Sequence, residues 1–152
     1  MSNATAKIIA ARVRGATMNY PITDIEGIGP AYADKLKRLR IRTTERLLEA
    51  AKNARGRKTL AEQTGIESTR ILKWANMADM MRIKGIGEEY SELLEAAGVD
   101  TVRELKHRNP KNLAEAMAEA NARRKLVRFL PSEKAITKWI AEAKSLPLKI
   151  TY

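Results

Sequence analysis

The sequence predicts an all-α chain built by duplication, and three observations carry that prediction. Two glycine-centred stretches, IEGIGPAYADKL from Ile25 and IKGIGEEYSELL from Ile83, align with Gly27 matched to Gly85, 58 residues apart. Each is followed by apolar residues at helical spacing: Tyr32, Leu36 and Leu39 in one copy, Tyr90, Leu94 and Ala97 in the other. No segment alternates with period two for long, as a half-buried strand would.

The elements follow in order. Pro30 starts the first motif helix, with φ preset for the helical turn. Both motif helices then stop alike, and Ile41 and Val99 are placed to dock into the core while Thr43 and Thr101 cap the next helix. Thr101 with Glu104 fits a capping box, whereas Thr43 with Arg46 does not. Gly98 suits the left-handed residue that ends many helices; its counterpart is Arg40, so the first turn is either strained or built differently. GRKTLAEQTGI and NPKNLAEAMAEANARRKLVRFLP read as further helices broken at Gly65 and Pro131, with Asn109 and Pro110 as a start signal. The tails match as well: Ile71, Trp74, Ala75 and Ala78 parallel Ile136, Trp139, Ile140 and Ala143, an apolar stripe at i, i+3, i+4, i+7 each time. Recurrence on that stripe makes Trp74 and Trp139 core anchors rather than base-stacking platforms.

Roughly four short helices per copy result, residues 18–81 forming the first unit and 82–152 the second. A copy of about 65 residues is marginal alone, so the two are expected to pack across a shared face. Residues 1–17 stand apart. Their Ala/Arg bias resembles a transit peptide, and SNA also looks like a cloning remnant, with Met18 a plausible native start. Lys7, Arg12 and Arg14 interrupt the apolar core a secretory signal needs. No apolar run approaches the ~20 residues of a membrane span, so a soluble, cytoplasmic protein is expected.

Charge narrows the partner class. Lys and Arg number 29 against 18 Asp and Glu, and the net +11 favours a polyanion such as nucleic acid. The surplus is shared, +3 in residues 1–17 and +4 in each unit. Absence of cysteine excludes disulfides, thiolate metal sites and Cys nucleophiles. The single histidine, His107, lies between Lys106 and Arg108 and is read as solvated.

In a helix, tight turn and second helix, Gly27 supplies the positive φ of the turn, Ile28 plugs the gap between the helices, and Gly29 leaves the backbone unobstructed. The result is a helix N-terminus with bare N–H groups, a pocket for phosphate. At these residues the sequence resembles the helix-hairpin-helix family: IEGIGPAYA matches its pattern through Ala33 and IKGIGEEYS through Ser91. The resemblance implies tandem, SAM-like units that bind a DNA backbone without regard to sequence, through hairpin amides and nearby Lys or Arg. It also implies that a monovalent cation can sit on the hairpin carbonyls. TGIEST and FLPSE look like degenerate second hairpins of the two units. From about Asn19 to Tyr152 the chain further resembles an uncharacterised bacterial family of this length, catalogued as a domain of unknown function with two such units, a likeness that brings no activity with it.

The residues expected to meet DNA are Gly27, Ile28, Gly29, Ala31, Lys35, Arg38, Arg40 and Arg42 at the first hairpin, with Lys84, Gly85 and Gly87 at the second. Asp34 is placed to pair with part of the first hairpin's charge, and Lys37 adds to it. Arg55, Arg57 and Lys58 read as a second basic loop, and Arg123, Arg124, Lys125 and Arg128 as a third. Glu88 and Glu89 occupy the first helical turn after Gly87, and two carboxylates offset the ~0.3–1 kcal/mol an anion gains from the helix dipole. The second hairpin is therefore read as mainly structural. A non-enzymatic DNA-binding protein is the leading expectation, and a protein-interaction scaffold with decayed phosphate sites the alternative. Catalysis ranks third. No lysine sits in a context that marks it as activated for Schiff-base chemistry on abasic DNA, and neither GxGxxG nor GxxxxGK[ST] is present.

Overall fold

Eight helices form among the described residues, 18–152 of the computed structural model, and no β-strand does. The transit-peptide and cloning-remnant readings fall on residues 1–17, outside the described residues. The helices are α1 (Pro30–Arg38), α2 (Thr44–Ala51), α3 (Ala54–Thr64), α4 (Ser68–Met80), α5 (Glu88–Ala96), α6 (Val102–Leu105), α7 (Pro110–Arg124) and α8 (Glu133–Ser145), preceded by a 3-10 turn at Ile22–Asp24. The chain is all-α, as the periodicity predicts.

The apolar stripes collect into two clusters. Ile22, Leu36, Leu47, Ile71 and Trp74 centre the first, and Ile86, Leu93, Val102, Leu113 and Trp139 the second. Trp74 and Trp139 are 1% and 4% exposed, so both indoles are core anchors. Burial of an indole is worth about 5 kcal/mol as an upper figure. Each is braced by the tyrosine of its own motif helix, Tyr32 at 5.1 Å and Tyr90 at 5.4 Å between ring centres. The α4 helix joins the clusters: Met77 packs in the first, Met80 in the second, and the helix contacts α5.

Both motif helices end in the same hydrogen-bonded turn, Ile41 N–H to Leu36 O at 3.0 Å and Val99 N–H to Leu94 O at 2.8 Å. The turn carries Gly98 at φ +91° in the second unit and Arg40 at φ +63° in the first. Of the two alternatives for Arg40 the strained one holds, because the buried Ile41 must follow that turn to reach the core.

Two local expectations need correction. Thr101 makes no side-chain capping bond; the Val102 N–H is taken by Asp79 Oδ2 at 2.9 Å. Asp79 is buried on α4 and held by Arg82 through Nε and Nη2 at 3.0 and 2.7 Å, a long-range cap that replaces the local one. Thr43, by contrast, does cap, accepting from Arg46 N–H at 3.3 Å. The basic loop at Arg55–Lys58 is in fact the start of α3, and Arg57 is buried. Its guanidinium donates to Ala51 O and Thr151 O, both at 2.9 Å, and Thr151 N–H donates to Lys52 O at 2.7 Å. Residues 147–152 thereby strap back onto the first cluster, where Ile150 is buried.

Candidate nucleic-acid interface

The first turn is built from the inside outward. Gly27 stands at φ +94°, and the space where its Cβ would lie is faced by Trp74 Nε1 at 3.3 Å. Gly85 repeats this at φ +92° with Trp139 Nε1 at 3.0 Å. Glycine is thus required twice over at these positions, by backbone conformation and by the indole packed against it. Ile28 and Ile86 point inward and are buried. Gly29 and Gly87 are extended N-caps of α1 and α5, and a Cβ on either would meet nothing within 4 Å.

The amides at the start of α1 face outward. Ala33 N–H is satisfied by Gly29 O, but among the described residues the N–H groups of Gly29 and Ala31 meet no acceptor, and both residues are exposed. Lys35, Lys37, Arg38, Arg40 and Arg42 are exposed along and just beyond the same helix, and none forms an ion pair within the described residues. Asp34, expected to pair with them, makes no salt bridge there either. Within the described residues, α1 thus has bare amides at its start and unpaired cations at its end and in the turn that follows.

The second turn differs in its electrostatics. Lys84 and Gly85 are exposed, but the Lys84 N–H is donated to Glu142 Oε2 at 3.0 Å. A third carboxylate therefore joins Glu88 and Glu89 around this turn, one that sequence spacing could not place because Glu142 lies 58 residues away on α8.

The two turns also feel each other. Burial raises the Glu88 carboxyl above the usual range, and Glu26, Asp24, Glu92 and Glu89 add to it. Glu92 is raised by burial and then by Glu26, with Arg124 and Lys73 opposing. Sequence reasoning set Glu88 and Glu89 against the second hairpin alone; the fold brings Glu26 of the first hairpin into the same acidic field. Among the described residues no group of three or more His, Asp or Glu side chains is arranged to hold a metal ion. Arg124 stands 4.0 Å from Glu92, so the third basic cluster borders this field, while Arg57 of the second is committed to the strap.

One feature was not legible as exposed. Phe129 is 74% accessible and Leu130 47%, in the connection between α7 and α8 that the family resemblance read as a degenerate hairpin. The only sequence signal was an apolar pair set beside a basic run.

No curated protein and no solved structure matches the chain. The family model described as "Domain of unknown function (DUF4332)" matches residues 26–146, from the residue before Gly27 to the residue after α8, and the chain belongs to that family.

Proposed function

We propose that this protein binds the backbone of DNA without sequence preference, with the turns at Gly27–Pro30 and Gly85–Gly87 acting as helix-hairpin-helix elements of unequal strength. The observation that carries the reading is the pairing, along one helix and the turn that follows it, of N–H groups at Gly29 and Ala31 with five exposed cations from Lys35 to Arg42, none of them satisfied or ion-paired within the described residues. A nine-residue helix is about 13 Å long, equal to the axial rise of roughly four base-pair steps of duplex. A phosphate at the amide end gains from the helix dipole, and later phosphates fall beside the guanidinium groups.

The carbonyls of Glu26, Gly27 and Ile28 receive no hydrogen bond within the described residues. They are oxygen donors of the kind a monovalent cation takes, and such an ion would place positive charge beside the amides and offset Glu26. A cation of this kind is what the helix-hairpin-helix resemblance implies.

A second reading, a protein-interaction scaffold, draws support from Glu26, Glu88 and Glu92, whose shared field repels phosphate at both turns. Fluorescence anisotropy with two unrelated duplexes separates the two. Backbone binding predicts equal affinity for both and a loss of about tenfold or more in Lys35→Glu/Arg38→Glu. Unchanged affinity in that double variant would overturn it.

A further inference from the structure

We propose that Phe129 is a stacking platform for one unpaired base, so that this protein prefers nucleic acid with a single-stranded end or gap to intact duplex. The inference rests on the backbone-binding reading and adds a second contact to it.

The connection from α7 to α8 is held, not slack. Helix α7 ends with Lys125 at φ +51°, a left-handed conformation that a side-chain-bearing residue adopts at a cost, and the Lys125 N–H closes on Asn121 O at 2.8 Å. The Asn121 side chain then grips Val127 at both backbone groups: it accepts from Val127 N–H at 2.9 Å and donates to Val127 O at 3.1 Å. Val127 is buried, and Phe129 O accepts the Tyr90 hydroxyl at 3.1 Å. Tyr90 is itself packed on Trp139. Four hydrogen bonds and one buried anchor therefore fix the backbone from 125 to 129, yet they deliver the one phenylalanine of the chain into water.

Strain and ordering spent on exposing an aromatic ring point to a ligand for that ring. Its surroundings select the ligand. Arg128 lies 6.0 Å from the ring centre, and Arg123 and Lys125, six and four residues earlier in the chain, are exposed without an ion pair within the described residues. A ring with cations on hand meets a base and its flanking phosphates together. A duplex presents bases already stacked, and breaking that stack consumes what a single ring returns; an unpaired base carries no such cost. The ring therefore adds affinity only where a base is free.

The test compares a blunt duplex, the same duplex with a short single-stranded overhang, and phosphatidylserine vesicles, all at one salt concentration. The overhang should bind about tenfold more tightly than the blunt duplex, equivalent to about 1.4 kcal/mol. Phe129→Ala and Phe129→Leu should abolish that preference without changing blunt-duplex affinity, and Phe129→Trp should keep it. A 2-aminopurine in the overhang should be quenched by wild type and not by Phe129→Ala. Equal binding of both DNAs by wild type, or a preference that survives Phe129→Ala, overturns the proposal and leaves hairpin binding standing. Loss of blunt-duplex binding with the overhang still bound refutes the hairpin reading instead. Vesicle binding that needs Phe129 but persists in Phe129→Leu assigns the loop to a membrane surface and likewise overturns the proposal.

Discussion

Four glycines allow backbone conformation and side-chain room to be separated by one substitution, glycine to alanine. Gly85, Gly27 and Gly98 share nearly the same φ, +92°, +94° and +91°, but a Cβ at the first meets Trp139 Nε1 at 3.0 Å, at the second Trp74 Nε1 at 3.3 Å, and at the third nothing within 4 Å. Holding an L-residue in the left-handed region costs about 1–2 kcal/mol. Displacing a buried indole adds an overpacking term of roughly 1–3 kcal/mol, with the lower end for the wider gap. Gly98→Ala should therefore lose about 1–2 kcal/mol, Gly27→Ala about 2–3 and Gly85→Ala about 3–4. Gly29→Ala is the control, since its φ is −84° and its Cβ site is open; the unfolded-chain gain is offset by alanine's poorer N-cap, so stability should change by no more than about 1 kcal/mol. Urea unfolding with a common m-value measures all four. If Gly98→Ala proves as damaging as Gly85→Ala, or Gly29→Ala costs more than about 1 kcal/mol, the account of the paired turns is wrong. Gly29→Ala also has a functional use, because a stable protein with weakened DNA binding would locate the contact at that amide.

Further predictions address charge and the long-range ties. Arg40→Gly removes left-handed strain but frees the unfolded chain, so its stability should shift by no more than about 0.5 kcal/mol, while the salt slope of DNA binding flattens by about one unit. Asp79→Ala strands the buried Arg82 guanidinium and the Val102 N–H and should cost about 3–5 kcal/mol, far above the roughly 0.5–2 kcal/mol of Thr43→Ala, with thermal and urea unfolding as the readouts. The raised carboxyls of Glu88 and Glu92 give a sign for pH: the folded state holds those protons more tightly than the unfolded chain. Their contribution to stability is greatest below the unfolded value of about 4.3 and is lost as pH climbs through the raised folded range. Glu88→Gln, which also removes an i, i+4 like-charge contact with Glu92, should gain about 0.2–0.5 kcal/mol at pH 7 and flatten that acid-side slope in pH-dependent unfolding. The same variant should tighten DNA binding at pH 7, where wild type tightens only on acidification.

What the sequence made legible was periodic or local. The helical stripes, the anchoring of Trp74 and Trp139, the inward Ile28 and the start of α7 at Asn109–Pro110 depend on residues a few positions apart, and they stand in the structure. Contacts between distant segments were not legible. Asp79 reaches across 23 residues to cap α6, Arg57 across 94 to hold Thr151, and neither pairing has a local signature. The capping box assigned to Thr101 did not form: its hydroxyl accepts no capping bond, and the first amide of the helix, Val102 N–H, is held instead by a buried carboxylate from a distant helix. At the candidate site, the turn geometry could be derived from Gly27 and Gly29, but the approach of Glu26 to Glu88 required the two units to be docked.

The central claim is that bare amides and free cations on α1 hold successive phosphates. Duplex affinity across a salt series measures this most directly. Four neutralised phosphates give a slope of log K against log salt near −3.6, independent of base sequence and reduced in Gly29→Asp. A flat response, or a slope indifferent to Gly29→Asp, would contradict it.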